Sequence, residues 1–256
     1  MTATASPLVA TPGSTTLTAY WRFHRAVATA QLAAWLPGGQ RVILDISGPH
    51  ARSAGQAARA GHRVLRVVPA AAQDGGAPPG RGTPPRGQGG ITTVTADPGN
   101  LGFLADGSVD GVIADDRTLS RYIAAEYLAA EIARVLCPGG RVLASADSLV
   151  LGMAILAEQR HWAELTDLTS AEVLLIPWPD GTFTRCYGAQ HLRDLCTEAG
   201  LKPSVIRPRT VLSPSMVTRV LDRDPSAMGR LVQAELTAAA DESFGIQLVM
   251  TARKPA

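Results

Sequence analysis

Three acids fall where a sheet-based site would need them. Asp45 lies near the end of an apolar run, Arg41–Ile46 (RVILDI), and Ser47-Gly48-Pro49-His50 follows as a turn. A tight turn at the carboxyl end of a buried strand lets backbone come close to a ligand, at the usual crevice of open α/β sheets. Asp97 comes just after a second strand-like run, Ile91–Thr95, and Asp115 closes a third, Gly111–Asp115. Asp115-Asp116-Arg117 offers both signs of charge to a substrate amine or acid, and equally suits a solvated loop.

Other reactive side chains have plainer roles. His50 sits in the turn, where it is either a ligand contact or an idle surface group. His161, Trp162, Trp178, Phe183 and Tyr187 cluster in an irregular region, 147–187, that could cover a substrate; packing of that cap is the simpler role. His191 falls on a helix surface. Tyr20 and Trp21 suit core packing better than closure over a ligand. Cys137, Cys186 and Cys196 form no CxxC pair, which argues for reduced thiols and against zinc. HExxH, GxSxG and GKS/T are absent, leaving hydrolase and P-loop chemistry without support.

The positioning elements follow from periodicity. Leu17–Leu36 has apolar and aromatic residues at near-helical spacing, stopped by Pro37-Gly38-Gly39. RVILDI, a small-residue helix over Ala51–Ala60 and RVLRVV (Arg63–Val68) make a βαβ unit. Ser120–Leu136 is an amphipathic helix, and RVLAS (Arg141–Ser145) a further buried strand. Leu149–Leu168 reads as helix, Ser170–Tyr187 as loop, Ala189–Ala199 as helix and Lys202–Leu212 as holding a strand. Ser226–Ala240 is a helix and Ile246–Ala252 a final strand. Alternating strands and helices predict a doubly wound, mainly parallel sheet, expected to be seven-stranded, with a small helical and loop cap. Residues 1–16 are expected to be a disordered tail and 17–256 the domain, with a flexible Pro/Gly-rich insertion over 69–90.

Composition narrows the partners. Hydrophobic residues make up 46% and charged ones 18%, a globular balance. Aromatics are 5% and the net charge is +2 without a dense basic run, so a nucleic-acid partner is not expected. No signal peptide or apolar span is evident, so no membrane partner is expected and a cytoplasmic location is.

The order of these segments resembles the class I S-adenosylmethionine (SAM)-dependent methyltransferases that act on small molecules. Four stretches carry the resemblance: Val42–Ala51 (VILDISGPHA), Thr95–Asp115, Glu131–Ser145 (EIARVLCPGGRVLAS), and Glu198–Leu201 (EAGL) together with the closing LVMTARKP, Leu248–Pro255. It implies a Rossmann-like fold, SAM as cofactor, a small-molecule acceptor, and cofactor contacts from Asp45, Ser47, Gly48, Pro49, Asp97 and Asp115. Asp97 matches the acid that accepts from the adenine amino group. No catalytic residue and no metal ligand is implied.

The pattern departs from the family at two places. Its three turn glycines are replaced by Ser47, Pro49 and Ala51, and its ribose-binding acid by Val68. Loss of that acid removes a charged hydrogen bond of about 1.5–3 kcal/mol, roughly ten- to a hundredfold in affinity. Two functions therefore stay open: methyl transfer to a small molecule, or a partner or regulatory subunit that keeps the scaffold without effective SAM binding. A nicotinamide-dependent oxidoreductase is disfavoured, because GxGxxG is missing after the first strand.

Overall fold

The computed structural model describes residues 15–69, 89–166, 171–178, 180–238 and 244–256. Helix α1 (Thr15–Trp35) precedes β1 (Val42–Asp45), α2 (Ser53–Arg59), β2 (Arg63–Val68), β3 (Gly90–Thr95) and β4 (Val109–Ala114). A 3₁₀ turn (Thr118–Arg121) and α3 (Ala125–Val135) lead to β5 (Leu136–Ser148), then α4 (Leu149–Glu158) and α5 (Trp162–Thr166). The chain continues through β6 (Val173–Pro177), β7 (Phe183–Tyr187), α6 (Ala189–Glu198), β8 (Lys202–Pro208), α7 (Pro214–Arg223), α8 (Met228–Thr237) and β9 (Gln247–Arg253). The expected tail over 1–16 lies outside the described residues except for Thr15 and Thr16, which open α1. The 69–90 insertion lies outside them at 70–88.

Strands β3-β2-β1-β4-β5 are parallel neighbours in that order. β9 lies antiparallel against β5 over Arg141–Asp147, and β8 antiparallel against β9. Apolar residues explain the layers. α3 and α6 bury Leu128, Ile132, Leu192 and Leu195 on one face of the sheet, while α1 and α2 bury Leu32, Trp35, Ala54 and Ala57 on the other. Gly111 in β4 is needed for that second contact. A Cβ there would meet Ile43 Cδ1 at 2.9 Å and Trp35 Cη2 at 3.2 Å.

Among the described residues the sheet has nine strands rather than seven, because Val173–Tyr187 forms a hairpin where a loop was expected. Its β7 extends the sheet from the end of β5, pairing Asp147 with Cys186 and Ser148 with Tyr187. Pro177 and Gly181, which suggest a loop in sequence, mark the end of the hairpin; Gly181 takes φ 82° there. The long helix expected over Leu149–Leu168 is two helices, broken at Arg160 with φ 61°. Helix α7 was not foreseen, although Ser213-Pro214 is a strong helix start; the Ser213 hydroxyl accepts from Met216 N at 3.3 Å.

Glu235 fixes the packing of α8. It is buried, and its two carboxylate oxygens accept from Val211 N at 2.7 Å and Leu212 N at 3.2 Å. Arg207 on β8 donates to the carbonyls of Glu235 and Leu236 at the helix end. Glu235→Ala is expected to lower unfolding free energy by about 2–4 kcal/mol, since two buried amides lose charged acceptors. Glu235→Gln should lose less, and urea denaturation of the two variants measures the difference.

Candidate cofactor and acceptor site

The turn after β1 is held from within. Asp45 is buried, and its carboxylate accepts from Ser47 N at 2.9 Å and from the Ser53 hydroxyl at 2.6 Å. Burial pushes its pKa up, against the opposing effect of those hydrogen bonds. The Ser47 hydroxyl donates to Ile113 O at 3.4 Å and accepts from Asp115 N at 3.0 Å, locking the turn to the end of β4. Gly48 takes φ 104°, a conformation costly for any residue with a Cβ. Pro49, which has no amide hydrogen, forms the turn's half-buried shoulder.

Two arginines close over this turn. Arg121 donates to Ser47 O at 2.7 Å and lies against Gly48, where an added Cβ would meet its Nη2 at 3.2 Å. Arg66 on β2 donates to Gly48 O at 3.3 Å and Pro49 O at 2.5 Å. The carbonyls that face a ligand in such a turn thus already accept from the chain's own cations. Neither arginine stands out in sequence, though Arg66 interrupts an otherwise apolar strand.

At the end of β4, Asp115 is ion-paired with Arg209, which is 2% exposed. Burial raises the Asp115 pKa; the Arg209 charge, together with hydrogen bonds from Ser145, the Asp116 amide and Arg209, outweighs it and holds the carboxyl below its usual range. Arg209 also donates to Gln247 Oε1 at 3.0 Å and Gln31 Oε1 at 2.9 Å. The next residues, Asp116 and Arg117, both adopt left-handed backbone, at φ 56° and 62°. That strained pair turns Arg117 back onto buried Asp147, with Nε 2.7 and 2.8 Å from its two oxygens.

A cavity of about 240 Å³ lies between α1, the β1 turn and the end of β4. His24, His50, Asp115, Asp116, Arg209 and Gln247 contribute to its lining. It is smaller than the roughly 300–1,000 Å³ of drug-sized sites and suits a group the size of an amino acid. Asp97 lies apart, in the turn after β3. Its Oδ1 accepts from Gly99 N at 2.9 Å, and burial, then the Asp97 carboxylate, pushes the nearby Tyr122 hydroxyl up to about 12. Val68 is buried at the end of β2. The structure therefore brings Asp45, Ser47, Gly48, Pro49 and Asp115 into one bonded unit and leaves Asp97 on a neighbouring turn. Among the described residues, no group of His, Cys, Asp and Glu is arranged to hold a metal ion.

The sequence matches no protein-family model and no curated protein. Solved structures do match. The 1,6-didemethyltoxoflavin N1-methyltransferase of Burkholderia thailandensis, solved with 1,6-didemethyltoxoflavin and S-adenosylhomocysteine, is 20% identical over 93% of this chain and 81% of its own, with a TM-score of 0.55. The chain has the class I SAM-dependent methyltransferase fold. A SAM-dependent methyltransferase of Methanosarcina mazei is 14% identical over 88% of this chain and 97% of its own, also with a TM-score of 0.55. The [4+2]-cyclase SpnF is 19% identical over 91% and 81%, with a TM-score of 0.50. Within this fold, β6 and β7 are additions beside a five-stranded parallel core completed by β9 and β8.

His24 gives the site a pH signature. Burial, then the Arg209 charge, lowers its pKa from 6.5 to about 4. The unfolded chain takes up this proton near pH 6.5 and the folded chain does not until about 4, so stability is full above pH 6.5 and falls as pH drops towards 4. Between pH 7 and 4.5 this component amounts to about 2–3 kcal/mol. His24→Gln should remove it, seen as a shallower acid loss of stability in urea titrations at the two pH values.

Proposed function

We propose that the chain binds SAM along the carboxyl edge of β1–β4 and directs methyl transfer to a small molecule. The observation that carries this reading is the cavity between α1 and the β1 turn, lined by His24, His50 and Asp116. Gly48, with its left-handed backbone, would allow close approach of the methionine arm. Asp97 would receive the adenine amino group. Asp45, Ser47 and Asp115 would then act by shaping the turn, because their polar groups are already bonded to one another, to Ser53 and to Arg209.

Bound SAM supplies an electrophilic methyl on a positively charged sulfur. The chain's part is to orient the acceptor and exclude water, which provides much of the rate in such displacements. His24 is neutral at pH 7 and is too weak a base to take a proton readily, but it can hold an acceptor by a hydrogen bond. Cys137, Cys186 and Cys196 are free thiols, which supports a reducing, cytoplasmic setting. Among the described residues no helix is long and apolar enough to cross a membrane.

A second reading has its own observation. Arg66 and Arg121 take the turn carbonyls, and Val68 gives the ribose no acceptor. This favours a scaffold that acts as a partner or regulatory subunit. Calorimetric titration with SAM and S-adenosylhomocysteine separates the two. Wild type should bind both, and Val68→Asp should tighten binding roughly ten- to a hundredfold by restoring a charged ribose acceptor. No heat at millimolar cofactor from either protein would rule out the enzyme and leave the scaffold.

A further inference from the structure

A second cavity, of about 540 Å³, lies on the α1 face of the sheet, over β5, β9 and β8 and between α1 and α8. Its floor is apolar, with Leu143, Val249 and Val205. Its charge is one-sided: Arg141, Arg207 and Arg253 line it, and among the described residues no acidic one does. Arg141 and Arg253 are directly opposite across the antiparallel β5–β9 pair. Like charges at such a position are destabilising unless something of opposite sign lies between or above them.

The donors here are not all used. Arg141 donates to Trp35 O at 2.9 Å and lies over the Trp35 ring at 5.8 Å. Arg207 uses its two terminal nitrogens on the α8 carbonyls, and its Nε is buried without a partner. The Trp35 indole nitrogen is also buried without a partner. Two of the four buried, unpartnered side-chain nitrogens among the described residues thus belong to residues lining this one cavity. Buried donors without acceptors are rare enough in folded proteins to need an explanation.

We propose that this groove is a binding site for an amphipathic carboxylate, an anionic head on an apolar body of aliphatic or aromatic carbon. The head would lie among Arg141, Arg253 and Arg207, where the bidentate geometry of guanidinium suits a carboxylate. The body would cover Leu143, Val205 and Val249. The site is separate from the cofactor edge but shares a wall with it. Gln31 lines the groove and accepts from Arg209, which pairs with Asp115 at the end of β4. The inference does not depend on SAM binding.

Octanoate is a suitable probe, with octylamine and acetate as controls for charge and for the apolar body. In calorimetry, octanoate is expected to bind with one site per chain, and the two controls at least tenfold more weakly. Arg253→Glu, an exposed side chain whose reversal should leave the fold intact, is expected to weaken octanoate at least tenfold. Thr251→Trp, which fills the groove from β9, should abolish binding while circular dichroism stays that of the wild type. Equal binding of octylamine, no octanoate binding to wild type, or octanoate binding unchanged by Arg253→Glu would overturn the proposal. If Thr251→Trp fails to fold, the Arg253→Glu comparison decides alone.

Discussion

Arg209 is the joint on which the molecule turns. A guanidinium taken almost wholly out of water keeps its charge only if every direction it points in offers an acceptor. Asp115 at the end of β4, Gln247 at the start of β9 and Gln31 on α1 supply them, so one side chain on the loop after β8 ties two strands of the sheet to the helix layer above it. The constraint propagates. Asp115, held by Arg209, presents its amide to Ser47, and Ser47 sets the turn after β1. Burial, reinforced by the same charge, keeps His24 neutral, and the Gln31 contact divides the carboxyl-edge cavity from the groove on the sheet face. A buried pair of this kind adds little net stability over an apolar replacement, but it specifies one arrangement of its neighbours; losing one partner would cost about 3–5 kcal/mol.

Much of the fold was legible because local signals agreed with it. The parallel strands read as short apolar runs, and β1, β2, β3 and β4 lie within two residues of their expected bounds. Glu131–Ser145 marked the end of α3 and the start of β5, although β5 is a far longer strand than the RVLAS core suggests. The misreadings fall where a local signal has two meanings. Proline and glycine between Val173 and Tyr187 mark a hairpin end as readily as a loop, and only pairing with the end of β5 decides between them. Helix α7 has a high polar content and a single buried stripe, so the periodicity that defines it is visible mainly from α1, against which Val217 packs.

The site was legible in outline and opaque in detail, for the same reason. Types and spacing placed Asp45, Ser47, Gly48, Pro49 and Asp115 at one edge of the sheet, and the turn does meet the end of β4 there. What those groups bond to lies far along the chain. Ser47 reaches Asp115 across 68 positions, Arg121 reaches Ser47 across 74, and Arg209 reaches Gln31 across 178. No window of sequence contains both partners, so a candidate ligand contact and an internal strut look alike until the chain is folded. Arg117 is a further instance: its charge suggested a substrate contact, and its left-handed backbone commits it to Asp147.

The seven register pairs between β5 and β9 also bear on how the chain is made. Gln247 follows Ser148 by 99 residues, so during synthesis the full length of β5 is available long before the strand that covers its far edge. Over that interval a run of Val142, Leu143, Ala144 and Ala146 presents open amides and carbonyls on one side, the form of edge that pairs with other chains. The hairpin of β6 and β7 pairs with the last two residues of β5 on the opposite edge, beyond the end of β4, and leaves the β9 edge wholly bare. Solubility of the nascent protein therefore depends on how quickly β9 arrives, which makes that strand a guard against aggregation as much as a part of the sheet.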